Sequence, residues 1–197
     1  MSEFLFIRHA ETDMRGTFCG HSDPVLNTRG HAQLTELIDS LSKEEISAVY
    51  TSDLRRAHTT AMAVAKAFGA DCYVRSALRE INFGQWEGAT WREIEERDVN
   101  YARRWLAEYP HLPAPDGERF HDFEQRVLDE VKLLSLEGGA ADRTIAVVTH
   151  AGVLRTVLCA LHGCSEDSAR EQTRSYCSVI RHTTVTSSSV QTAEVGS

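Results

Sequence analysis

Short apolar runs of strand length alternate along this chain with amphipathic stretches of helix length, and that alternation limits the fold more than any other feature. Residues 4–7 (FLFI) read as a first strand, expected to be central and buried. Asn27 offers an N-cap for a helix through Ile38, with Ala32, Leu34, Leu37 and Ile38 roughly on one face. Residues 46–50 form a second strand. Thr51, Ser52 and Asp53 then supply caps for a helix over about 54–68, closed by Gly69. A short third strand covers 72–74. Thr90 and Glu93 make a capping box for a helix that runs, with one break, to Glu108. YPHLPAPDGE holds three of the four prolines and reads as an irregular connection. A helix over 121–136, a strand over 144–148, a helix over 152–161 and terminal strands over 179–185 and 188–195 complete the expectation. Strand and helix in this order predict an α/β fold, a mainly parallel sheet covered by helices on both faces. The chain shows no internal repeat and no linker long enough to separate a pair of domains.

Composition narrows what such a sheet can serve. Apolar residues make up 42% of the 197 positions and charged residues 25%, the balance of a soluble globular protein. Nothing approaches a membrane span, and the opening MSEFLFIRHAE has no signal-peptide pattern, so a cytoplasmic protein is expected. A net charge of −8 disfavours non-specific nucleic-acid binding. It leaves room for a small anionic substrate if cations gather in one cleft. Only Lys43, Lys66 and Lys132 are lysine, so arginine supplies 18 of the 21 Lys and Arg side chains. The five cysteines are scattered without a C-x-x-C pair and read as reduced thiols, and the nine histidines lack zinc-ligand spacing. Neither a metal nor a cofactor is expected.

In sheets of this kind the ligand site lies beyond the carboxyl ends of the strands. The first strand ends on Arg8 and His9, the second runs into Thr51 and Ser52 with Arg55 and Arg56 a turn later, and the 144–148 strand runs into His150, Ala151 and Gly152. One histidine at a strand end is ordinarily a hydrogen-bonded structural residue. An arginine in a helix's first turn is ordinarily surface charge, although it sits poorly at the positive end of the helix dipole. Two histidines and two arginines at neighbouring exits instead suggest a phosphate cage. A neutral imidazole with its far nitrogen held can attack phosphorus, and arginines and a second histidine can stabilise the transferring group without Mg²⁺. The proton donor for the leaving oxygen would come from LREINFGQWEG, where Glu80 is the candidate and Glu87 its competitor; ordinary loop charge is the bland reading of either.

The segments FIRHAET, TSDLRRAHTTA, LREINFGQWEG and VVTHAG, in that order, together with the helix entry PVLNTRGHAQ, resemble the histidine phosphatase superfamily, also called phosphoglycerate mutase-like. They span position 4 to about 155. The resemblance implies a three-layer α/β/α sandwich with residues 1–197 as one domain. It also implies a phosphohistidine intermediate on His9, phosphoryl binding by Arg8, Arg56 and His150 with help from the Ala151 N–H, and Glu80 as acid and then base. Ala10 stands where the family usually has glycine. Arg15 stands where many members carry an asparagine that holds phosphate, so Arg15 either supplies another donor or points away. Thr12 and Arg15 fall in the segment expected to choose the substrate.

Family mutases carry L-N-E-R-H-Y-G around the acid, so the wording here leans to phosphatases. REINFGQWEGATWREI with PAPDGERFHDFEQRV resembles alpha-ribazole phosphatases and broad-specificity members. The expected activity is metal-independent hydrolysis of a small phosphorylated metabolite, with alpha-ribazole 5′-phosphate as one instance. A nucleotide-like substrate would stack on Trp86, Trp91 or Trp105, whose bland role is helix packing. The alternatives are a phosphoglycerate mutase needing a bisphosphorylated cofactor, a non-catalytic phospho-ligand binder, and a metal-dependent hydrolase. Oligomeric state stays open, with a homodimer through an edge strand or exposed helices as one option.

Overall fold

A computed structural model describes residues 2–138 and 143–184. The elements run β1 (Ser2–Arg8), α1 (Thr28–Ser40), β2 (Ile46–Thr51), α2 (Arg55–Phe68), β3 (Asp71–Val74), α3 (Trp91–Arg97), α4 (Val99–Glu108), α5 (Phe120–Gly138), β4 (Thr144–Thr149), α6 (Ala151–His162), α7 (Glu166–Gln172) and β5 (Val179–Thr184). The expected strand over 188–195 lies outside the described residues. Among the described residues no helix is long and apolar enough to cross a membrane.

The five strands form one sheet in the order β3-β2-β4-β1-β5, all parallel except β5, which pairs antiparallel with β1. The middle strand is therefore β4, with β1 beside it, a shift from the central place expected for FLFI. Both strands are buried on two faces, so their near-continuous apolar runs look alike in sequence. Successive residues point to opposite faces. Phe4, Phe6, Ile145 and Val147 pack with Val127, Val131 and Leu134 of α5 and Val153, Leu154 and Val157 of α6. Leu5, Ile7, Ala146 and Val148 pack with Leu37 of α1 and with Ala61 and Val64 of α2. This is the expected three-layer α/β/α arrangement. A third cluster, Trp86, Ile94 and Ala102 with Phe18, Trp91 and Trp105 against it, gathers residues of α3, α4 and the neighbouring loops.

Local chemistry explains the element ends. Asn27 caps α1 by accepting the Gly30 N–H at 2.8 Å, and Thr90 and Glu93 make the expected capping box of α3. The break before α4 falls at Asp98, whose carboxylate accepts the Tyr101 N–H. At α2 the expected side-chain cap is absent. The helix begins at Arg55 after Leu54, because the Ser52 hydroxyl is bound to His150, the Thr51 hydroxyl to the Ser52 carbonyl, and the Asp53 carboxylate to Arg79. The capping side chains are committed elsewhere.

Candidate active site

Register puts the exits of β1, β2 and β4 side by side. Arg8 pairs with Thr149, and Thr51 with Val148, so His9, Ser52 and His150 leave adjacent strands almost level. The His9 N–H donates to the Thr149 carbonyl at 2.9 Å, and the Ala10 N–H donates to the Thr60 hydroxyl of α2 at 3.1 Å. These bonds hold the backbone at the turn out of β1.

The His9 Nδ1 lies 2.7 Å from the Ala10 carbonyl. A carbonyl only accepts, so Nδ1 carries the proton and Nε2 keeps its lone pair. The Arg56 Nε–H donates toward that Nε2 at 3.3 Å. Burial, then the Arg56 charge, hold the His9 imidazole well below its ordinary pKa against the opposing Ala10 carbonyl, and Arg8 adds to the lowering. His9 is therefore neutral near pH 7. The His150 ring lies 5.2 Å from the His9 ring, centroid to centroid. His150 is fully buried with Nε2 2.7 Å from the Ser52 hydroxyl, and its Nδ1 has no hydrogen-bond partner among the described residues. Burial, Arg56 and His9 keep it well below the ordinary histidine range.

Arg56 is also fully buried and donates to the carbonyls of Ser22 at 2.6 Å, Gly20 at 2.7 Å and Cys19 at 3.2 Å. Those carbonyls offset a cation placed at a helix N-terminus. Their loop is organised by Glu87, whose carboxylate accepts hydrogen bonds from the Gly20, His21, Ser22 and Phe83 N–H groups and from the Ser22 hydroxyl. Burial pushes the Glu87 pKa up, but the hydrogen bonds from Ser22, Phe83 and His21 outweigh it and leave the carboxyl below its ordinary range. Glu87 is thus committed to the loop. Glu80 faces a cavity of about 690 Å³ shared with Arg8, His9, Thr12 and Ala151. One Glu80 oxygen accepts the Gly152 N–H at the start of α6 at 2.9 Å, and the other accepts the Ile81 N–H at 3.0 Å.

Five of the expected residues line the cavity, while Arg56 and His150 stand behind His9. Arg15 is not brought to the site. Its side chain is 67% exposed and lies 3.8 Å from the Glu11 carboxylate four residues back, so an ion pair draws it outward. Arg55 is likewise exposed. Trp91 and Trp105 line the cavity with Phe18, Phe83 and Tyr109, whereas Trp86 is buried in the aromatic cluster. Two contributors escaped the sequence reading. Arg126 of α5 donates to the Glu80 carbonyl at 3.0 Å while paired with Glu118, and it looks like helix-surface charge in sequence. Tyr176 lies between α7 and β5, where no periodic pattern marks it. Among the described residues, no three His, Cys, Asp or Glu side chains are grouped to hold a metal ion.

The model of the histidine phosphatase superfamily (branch 1) matches residues 4–191. The chain belongs to that superfamily. Phosphoserine phosphatase 1 of Hydrogenobacter thermophilus is 31% identical over 168 residues, 83% of this chain and 77% of that protein. The adenosylcobalamin/alpha-ribazole phosphatase of Escherichia coli is 31% identical over 159 residues, 80% of this chain and 77% of its own. Among solved structures, Bacillus stearothermophilus YhfR superposes with a TM-score of 0.79 at 31% identity, covering 92% of this chain and 90% of that one. The chain is accordingly a phosphatase of the histidine phosphatase superfamily.

Proposed function

We propose that residues 1–197 form one histidine phosphatase domain that hydrolyses small phosphomonoesters without a metal ion, through a phosphohistidine on His9. The observation that carries this reading is the His9 tautomer. With Nδ1–H held by the Ala10 carbonyl, Nε2 is a neutral nucleophile beside the Glu80 carboxyl group in one cavity. Arg8, Arg56, the unpartnered His150 Nδ1 and the Ala151 N–H at the α6 N-terminus hold the phosphoryl oxygens. The Arg56 contact to Nε2 gives way as phosphorus arrives. Nε2 attacks phosphorus, the bond to the leaving oxygen breaks, and the acid form of Glu80 delivers its proton to that oxygen. Glu80 then takes a proton from water, whose oxygen attacks the phosphohistidine. The P–N bond breaks, releasing inorganic phosphate and neutral His9.

Thr12 lines the cavity near the phosphoryl end, and the aromatic wall of Phe18, Phe83, Trp91, Trp105 and Tyr109 receives the alcohol. That wall favours a planar, weakly polar leaving group. Alpha-ribazole 5′-phosphate, the kind of substrate in the Escherichia coli relative's name, uses the wall; phosphoserine, named for the Hydrogenobacter relative, leaves it idle. Assay of both compounds, 3-phosphoglycerate and p-nitrophenyl phosphate in EDTA tests the reading. It expects metal-independent hydrolysis, with alpha-ribazole phosphate the better natural substrate. Loss of all turnover in EDTA, or turnover retained in His9→Ala, contradicts the mechanism; preference for phosphoserine overturns the substrate assignment.

A further inference from the structure

Arg8 is held from the far side by a segment that has no place in the mechanism so far. Its Nη1 donates to the carbonyls of Thr173 at 2.9 Å and Arg174 at 2.7 Å. Its guanidinium carbon lies 4.1 Å from the centroid of the Tyr176 ring. The same ring is 5.6 Å from the His9 ring and lines the cavity. The backbone of this segment also embraces Arg8, with the Arg8 N–H on the Ser178 carbonyl and the Cys177 N–H on the Arg8 carbonyl. Cys177 follows Tyr176 in the left-handed region at φ 56°, uncommon for a residue with a Cβ. An outlier of this kind is kept where the surroundings require it, often at a functional site.

Arg8 has further donors on its other edge. Nε is buried without a hydrogen-bond partner, and Nη2 has none among the described residues. A buried, unpaired guanidinium N–H is costly unless a ligand completes it. The Nε–Nη2 edge is also one of the forks by which arginine grips phosphate in a bidentate way.

We propose that Tyr176 is a positioning residue for phosphate binding: its ring face and the Thr173 and Arg174 carbonyls fix the Arg8 guanidinium so that the Nε–Nη2 edge meets the phosphoryl group. The proposal rests on the phosphoryl-binding role given to Arg8 above. A flat aromatic face holds the guanidinium plane by cation–π attraction without consuming an N–H. Phenylalanine supplies such a face and leucine does not.

The test measures orthovanadate inhibition and p-nitrophenyl phosphate kinetics for Tyr176→Phe and Tyr176→Leu, each also made in an Arg8→Ala background, with thermal melts to establish folding. Tyr176→Leu is expected to weaken vanadate binding about tenfold and to lower kcat/KM by a similar factor, while Tyr176→Phe stays close to the parent. In the Arg8→Ala background the leucine variant should add little further loss. Unchanged vanadate binding in Tyr176→Leu overturns the proposal, as does a phenylalanine variant as weak as leucine, or a leucine effect undiminished without Arg8. Failure of the underlying reading shows separately, because Arg8→Ala alone then leaves vanadate binding unchanged; that result overturns both.

Discussion

At the scale of single residues, a carbonyl and a buried arginine determine what His9 is. The Ala10 carbonyl selects the tautomer, and burial with the Arg56 charge disfavours the imidazolium. Because the folded pKa is lowered, His9 should stay neutral as pH falls through 6.5 in the free protein. Histidine NMR titration checks this, and a His9 resonance already half protonated at pH 6.5 contradicts it. Glu80→Gln should slow turnover by ~10²–10⁴-fold, the usual worth of a general acid–base group. The loss should be greatest for alkyl phosphates and smaller for p-nitrophenyl phosphate, whose leaving group needs little protonation. An unchanged rate on an alkyl phosphate removes Glu80 from the role. That Arg8, His9 and His150 would meet at one edge of the sheet was legible, because neighbouring strands of a parallel sheet deliver their exits to the same edge. Which of Glu80 and Glu87 is left to face the cavity was not legible from the residues, since it depends on which carboxylate five loop hydrogen-bond donors consume. Arg126 and Tyr176 were invisible because each reaches Glu80 or Arg8 from an element remote in sequence.

At the scale of elements, the start of α6 and the loop under Arg56 tune the site. A Cβ on Gly152 would come 2.0 Å from a Glu80 carboxylate oxygen and 3.2 Å from Phe123. The near clash is with the mobile end of a side chain, so Gly152→Ala should fold but push the Glu80 carboxylate aside. Its kcat on alkyl phosphates is expected to fall by at least about tenfold, with vanadate affinity retained. Parent-like kcat would show that Glu80 need not rest on the α6 amide. Glu87→Gln replaces an acceptor by a group with its own donors and should cost ~1–3 kcal/mol of stability at pH 7. The Glu87 pKa is lowered in the folded state, so its contribution is present above about 4.5 and is lost as pH falls through the folded value. Chemical denaturation of parent and Glu87→Gln should therefore converge below pH 4.5; a constant gap contradicts the assignment. Element boundaries were legible where capping is local, as at Asn27 and Thr90. At α2 the bounds agree, but the expected side-chain cap was missed, because Ser52 and Asp53 bind across the fold instead.

At the scale of the whole molecule, the strand–helix alternation foretold the layers and the edge on which the site sits. The order of strands was not foretold, because β1 and β4 share one kind of apolar pattern and only their pairing shows that β4 is central. That pairing matters for function. It sets Arg8 beside Thr149 and Thr51 beside Val148, and so delivers His9, Ser52 and His150 to one place from positions 9, 52 and 150 of the chain. The aromatic residues of α3, α4 and the neighbouring loops line the same cavity. Trp105→Ala should lower kcat/KM for aromatic phosphomonoesters by about tenfold while barely changing that for a small alkyl phosphate. Equal losses on both would deny the wall a role in selecting substrate. The central claim, that the assembled cage passes phosphate through His9, is tested most directly by trapping the intermediate. The enzyme is quenched in alkali during turnover of p-nitrophenyl phosphate, and the phosphate is mapped by mass spectrometry. The account predicts an alkali-stable, acid-labile phosphoryl group on His9 that is absent from His9→Ala; steady turnover with the label on another residue would contradict it.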